Sequence, residues 1–270
     1  MDSLLLIAVA MLATGCVAGV LAGLFGIGGG IVIVPVLEAV LGFAGVDAAV
    51  RMHIAVATSL ATIVPTSIAS ARSHHRRGAV NGGIARRWFG FVFAGAILGA
   101  WIASEIDGRG LALIFATLAS FVAVKMSLFP ETRNLTKQVP ASPLVTAIPT
   151  GIGCLSAMMG IGGGILSVMT LRLFNEPMHR AVGTAALFGL AISLPGTIGF
   201  MVTGFGDERL PVGNLGFVSL IGFALLAPTT ILLAPVGARI AHALSGRKLS
   251  FLFGLFLVVA AVRLFYRALA

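Results

Sequence analysis

Apolar residues run along this chain in long blocks, with little of the alternation that marks a half-buried soluble element. Residues 4–22, 89–103, 111–124, 215–231 and 251–262 carry almost no charge. Such blocks approach the ~20 apolar residues a helix needs to cross a ~30 Å hydrocarbon core. Polar residues are confined to short breaks near 72–87, 105–107, 130–143, 207–208 and 239–248. Two apolar blocks are interrupted by glycine instead of charge. Gly26, Gly28, Gly29 and Gly30 recur as Gly160, Gly162, Gly163 and Gly164, 134 residues later. Four glycines in five residues break a helix, and a break at membrane depth is tolerated only where protein buries it or it lines a cavity. The pattern predicts an all-α polytopic membrane protein of about eight spans. Glycine-broken pairs fall near 4–25 with 28–42 and 144–159 with 161–174. The second pair is short enough for a re-entrant hairpin.

Other features repeat in the same order. His53 and Thr58 match His179 and Thr184 at an offset of 126. Gly99, Leu111, Phe115 and Lys125 match Gly237, Leu249, Phe253 and Arg263 at an offset of 138. The shared order predicts a first membrane repeat at 1–129, a polar linker at 130–143 and a second repeat at 144–270. Charge sets the orientation. Arg72, Arg76, Arg77, Arg86 and Arg87 mark one loop as cytoplasmic, and Lys125, Arg133 and Lys137 do so for the linker. The loops at Glu105 and Asp107 and at Asp207 and Glu208 lack a basic excess and read as external. Arg239, Arg247 and Lys248 read as internal. The helix after His53 then runs inward and the one after His179 runs outward, which makes the repeats inverted and puts both termini outside.

Composition narrows the class. A hydrophobic fraction of 58% with 10% charged residues excludes an ordinary soluble domain, and the mean hydropathy is +1.07. The net charge of +9 reads as positive-inside loops, with no nucleic-acid partner. Cys16 and Cys154 lie in apolar sequence without CxxC spacing, so they read as packing residues, with no disulfide framework or zinc site. Met1, Asp2 and Ser3 give no basic leader, and the first helix reads as retained.

The candidate chemistry is that of an anion. Backbone N–H groups at the helix starts after each glycine cluster suit a negative charge. Thr58, Ser59 and Thr184 offer hydroxyls that donate to an oxyanion without carrying charge into the membrane, with back-bonding to the preceding turn as the structural alternative. The expected substrate site therefore comprises Gly26, Gly28, Gly29, Gly30, Thr58, Ser59, Gly160, Gly162, Gly163, Gly164 and Thr184. Ala185 stands where the first copy has Ser59, and Val168-Met169 where it has Val34-Pro35, so the second half-site is expected to be the less polar. Pro65 and Pro195 are expected to kink the two helices that carry the threonines. His53 and His179 flank basic residues and read as solvated at the interface. Glu38 and Arg172 are placed at the interface, and Lys125 and Arg263 read as snorkelling. Gly15, Gly19, Gly23, Gly95 and Gly99, spaced by four, read as packing faces. No metal cluster, catalytic triad or nucleotide motif is legible, so neither an enzyme nor a cofactor is expected.

Gly23-Leu24-Phe25-Gly26-Ile27-Gly28-Gly29-Gly30 with Val34-Pro35, and Met158-Met159-Gly160-Ile161-Gly162-Gly163-Gly164, resemble the sulfite exporter TauE/SafE family. Ala57-Thr58-Ser59-Leu60, Arg76-Arg77-Gly78, Leu210-Pro211 with Leu215-Gly216, and Ala234-Pro235-Val236-Gly237-Ala238-Arg239 add to the resemblance, which covers nearly the whole chain. It implies a multi-pass protein of the bacterial inner membrane that moves sulfite, sulfonates or related organic anions. Its partners would be a small anionic substrate and the lipid bilayer, and a homo-oligomer stays among the options. Export needs no coupling ion, since an inside-negative potential drives an anion outward. A passive anion channel is the alternative reading.

Overall fold

The structure is a computed structural model describing residues 2–25, 29–128, 144–243 and 246–269. Gly26, Gly28 and the expected linker at 130–143 lie outside the described residues. The elements run α1 (Asp2–Phe25), α2 (Gly30–Phe43), α3 (Ala48–Arg76), α4 (Gly82–Glu105), α5 (Gly108–Leu128), α6 (Leu144–Met158), α7 (Gly164–Leu173), α8 (Met178–Thr203), β1 (Asn214–Leu215), β2 (Val218–Ser219), α9 (Leu220–Ala243) and α10 (Gly246–Leu269). The one departure from an all-helical fold among the described residues is the β1–β2 hairpin, with Asn214 opposite Ser219 and Leu215 opposite Val218. By length and composition, three helices among the described residues are long and apolar enough to cross a membrane: α3, α4 and most of α8.

The broken pairs form where the glycines predict, with later restarts. α2 begins at Gly30 and α7 at Gly164 because the preceding Gly29 and Gly163 are left-handed, at φ 76° and φ 66°. That conformation costs an L residue with a Cβ but not glycine. At about 1.5 Å per residue, α2 reaches about 21 Å and α7 about 15 Å, both short of the ~30 Å hydrocarbon core. Each is therefore a half-helix. Positive φ also ends them, at Gly45 (77°) and Asn175 (63°), and Asp47 caps α3 by accepting the Ala49 N–H at 2.9 Å.

The long helices α3 and α8 occupy the centre, side by side and in opposite directions. The start of α8, at Gly183, lies against His74 and Ala79 at the end of α3. At the other end, Phe217 packs on both Phe200 of α8 and His53 of α3. Around this pair, α1 lies along α9, α4 along α6 and α5 along α10. If α1–α5 are matched in order to α6–α10, the first two of these pairings exchange and the third maps onto itself.

The exchange extends to single residues. Offsets of 134 and 138 carry Gly19 to Gly153 and Val92 to Thr230. Gly19 lies against the Thr230 backbone, and Gly153 against the Val92 backbone. Contacts within each half repeat as well: the Ala79 N–H donates to His74 O at 3.0 Å, and the Phe217 N–H to Phe200 O at 3.1 Å. Gly15 meets Thr229, Gly95 meets Thr150 and Gly99 meets Cys154, so these glycines are packing faces. Such close approach matters because lipid supplies no hydrophobic drive between helices, and dispersion at short range has to do so. Gly23 lies outside the described side chains.

Gly19→Leu and Gly153→Leu should therefore each destabilise the protein by about 1–3 kcal/mol or more through overpacking. Thermal unfolding in detergent checks this, with Gly90→Leu, which meets open space, expected to change little.

Candidate functional site

The two glycine breaks meet beside α3. A Cβ on Gly30 would collide with Gly160 O and lie 2.9 Å from Ser59 Oγ and 2.8 Å from Ile63 Cδ1. Ser59 Oγ–H donates to that same Gly160 carbonyl at 2.7 Å. Gly160, at φ 66°, packs on Val34 and Val56, and Gly162 packs on Ile63 and lies beside Gly189. Gly163 is closed over by the Ile192 Cδ1 methyl, with Ser156 Oγ and Ser167 Oγ next nearest. The first half thus supplies Gly30, Ser59 and Ile63, and the second half supplies Gly160, Gly162, Gly163 and Ile192. Gly164 is buried at the first position of α7.

Thr58 and Thr184 are occupied differently. The Ser219 N–H donates to Thr58 Oγ1 at 2.9 Å, and the Asn81 N–H donates to Thr184 Oγ1, also at 2.9 Å. Both donors head a helix. Asn81 Oδ1 accepts from Gly83 N–H at 3.1 Å and Ile84 N–H at 3.2 Å, capping α4. Ser219 Oγ accepts from Gly222 N–H at 3.1 Å at the start of α9. An offset of 138 carries Asn81 to Ser219, as 126 carries Thr58 to Thr184. These are matched fastenings of one helix start to a central helix of the opposite half. Both threonines are fully buried, where an unpaired N–H would cost a few kcal/mol. Back-bonding, the expected alternative, occurs elsewhere on the same two helices, from Thr62 to Thr58 O at 2.8 Å and from Thr197 to Ser193 O at 2.6 Å.

Several expectations are corrected. His53 is buried, at 4% exposure, and is not a solvated interfacial residue. Its Nε2 lies 3.0 Å from both Ala103 O and Ile106 O, so that nitrogen carries the proton and closes the C-terminal end of α4. Its ring stacks on Phe217 at 5.0 Å. The matched His179 is exposed. Glu38 is also buried within the protein, beside the partly exposed Arg263. Its guanidinium turns back to Glu38 Oε2 at 3.6 Å and donates to Pro35 O at 3.1 Å. The side chain of Lys125 lies outside the described residues.

The second break is also the more polar one, the reverse of expectation. Ser156 and Ser167, on either side of the second cluster, are buried at 1% and 0% exposure, and neither hydroxyl has a partner in the structure, as is also true of Ser193 on α8. An offset of 134 places Ala22 and Ile33 opposite Ser156 and Ser167. These serines escaped the sequence reading because they lie outside the glycine motif. A hydroxyl within four residues of either side of the second cluster was the signal available.

Toward the C-terminal end of α3, on the face turned away from Ile63, a cavity of about 740 Å³ is lined by Pro65, Ile68, Ala69, Arg72, Ser73, Arg76 and Arg77. The three arginines are exposed and set a positive potential at its mouth, which raises the local concentration of anions. At the other end of the molecule Arg209 clamps Asp207 with bonds of 2.9 and 2.7 Å and holds its carboxyl below the usual range. The Asp207 charge is thus offset by a neighbour two residues away. No group of His, Cys, Asp and Glu that could hold a metal ion occurs among the described residues.

The profile of the family described as Sulfite exporter TauE/SafE matches residues 11–264. A probable membrane transporter protein from Haemophilus influenzae is 33% identical over 258 residues, covering 95% of this chain and 97% of its own. One from Methanocaldococcus jannaschii is 26% identical, covering 88% of each chain. One from Bacillus subtilis is 27% identical over 72% of this chain and 79% of its own. No solved structure matches.

Thr58→Val and Thr184→Val, which keep the volume but lose the acceptor, should each cost about 1–3 kcal/mol of stability. Differential thermal unfolding checks this. A matched pair of losses identifies the fastening, while an unchanged midpoint with lost substrate affinity would assign the hydroxyls to the ligand instead.

Proposed function

The chain belongs to the sulfite exporter TauE/SafE family, and on that premise we propose that it is a secondary transporter carrying small sulfur-containing anions, sulfite or sulfonates, out through a bacterial inner membrane. The observation that carries this reading is the meeting of the two glycine breaks at Gly30, Ser59 and Gly160. Two half-helices with their N-terminal ends in the protein interior are what an anion needs inside a membrane. Each offers unpaired N–H groups and about half a positive charge, without an ionised side chain to desolvate.

The exchanged contacts and the antiparallel course of α3 and α8 support an inverted repeat. On the charge pattern, the arginine-lined cavity faces the cytoplasm and gathers anions for export. The inside-negative potential then contributes about 2.3 kcal/mol per charge per 100 mV in the outward direction. The motion is not the rocking of one sequence half on the other. The tight seams α1–α9 and α4–α6 join opposite halves, so each moving unit is built from both.

Radiolabelled sulfite flux in proteoliposomes tests the proposal, with unlabelled sulfonates, sulfate and chloride as competitors. Saturable flux that sulfonates block and trans substrate accelerates is the expected result. Flux without trans-stimulation would mean a channel, and no flux from folded protein would remove sulfur oxyanions as the cargo.

A further inference from the structure

Two of the unpartnered serines converge on one point. Measured from where a Cβ on Gly163 would sit, Ser156 Oγ lies 3.4 Å away and Ser167 Oγ 3.5 Å away. Ser156 comes from the last turn of α6 and Ser167 from the first turn of α7, so the hydroxyls approach from either side of the break. Gly163 is the left-handed residue that opens α7, a helix of ten residues, and no side chain caps that end. The Ser167 N–H is spent on Gly163 O at 2.8 Å. The N–H groups of the three residues before it belong to the first turn, which has no intrahelical acceptor.

Both hydroxyls are fully buried and without a partner. A buried hydroxyl left unpaired is costly, and a fold seldom keeps two at one place without use for them. The first break has no such pair. Its positions hold Ala22 and Ile33, and its neighbouring Ser59 hydroxyl is committed to Gly160 O.

We infer that Ser156 Oγ–H and Ser167 Oγ–H, with the N-terminal end of α7, form the substrate subsite and that it takes an oxyanion carrying a single negative charge. This rests on reading the glycine breaks as the transport site. It makes the two breaks unequal: the second binds and the first braces. Hydroxyls and N–H groups supply donors but no formal charge, and the helix end supplies about half of one. A second negative charge would go uncompensated at a depth where charge is expensive. The Ile192 Cδ1 methyl stands over Gly163, so the subsite is shut in this conformation and opens when that flexible end swings away.

The test is thermal unfolding of the purified full chain in detergent, titrated with methanesulfonate, whose charge is fixed at one, and with sulfate and chloride. Methanesulfonate should raise the wild-type midpoint saturably, while sulfate and chloride should not. Ser156→Ala and Ser167→Ala should leave the ligand-free midpoint unchanged or higher, since each removes an unsatisfied group, yet weaken methanesulfonate binding about ten- to a hundredfold. Ser156→Cys keeps the volume with a weaker donor and carries the test should the alanine variant not fold. No wild-type response, an equal response to sulfate, or serine variants that lose ligand-free stability while keeping affinity would each overturn the inference. Serine-independent flux in proteoliposomes would overturn it while leaving the transporter reading intact. Serine-dependent methanesulfonate binding without flux would do the reverse.

Discussion

Every helix that stops inside an apolar interior leaves backbone N–H and C=O groups without partners, and here neither water nor lipid can take them. The molecule is organised around that debt. α2 and α7 start within it, and α4 and α9 start against its central helices. The groups that settle part of the account come from α3 and α8. Ser59 takes the Gly160 carbonyl, Thr58 takes the N–H that precedes α9, and Thr184 takes the N–H that precedes α4. His53 does the same for the carbonyls at the far end of α4. Polar residues on the two central helices thus serve backbone ends on other elements.

Each of the Thr58, Thr184 and Ser59 bonds crosses between sequence halves. So do the glycine seams, where Gly15 and Gly19 lie on α9 and Gly95, Gly99 and Gly153 join α4 to α6. A half alone would keep its broken helices and lose the partners of their ends. The halves are therefore interlocked, and stability and symmetry have one source, since a contact that works once is used again in exchanged form. The places where the exchange fails are the informative ones. Ser59 has Ala185 opposite it, while Ser156 and Ser167 have Ala22 and Ile33. The hydroxyl beside one break is bonded to a carbonyl of the other, and the two hydroxyls beside the second have no partner.

The sequence by itself determined the helical class, the positions of both glycine breaks and the helix faces that pack through Gly15, Gly19, Gly95 and Gly99. These are local matters. A glycine cluster interrupts a helix wherever it sits, a long apolar block has few other uses, and glycines spaced by four share a face. The partners of the polar residues were decided only by the tertiary structure. Thr58 beside Ser59 looks like one constellation, but successive helical residues point about 100° apart, and they reach a helix start and a glycine carbonyl 161 and 101 residues away. His53 and Arg263 look like interfacial residues until the chain returns to cover one and give the other a buried carboxylate. Ser156 and Ser167 carry no motif at all. Whether a hydroxyl is satisfied depends on which backbone ends the other half delivers to it, and that is a property of the packed molecule.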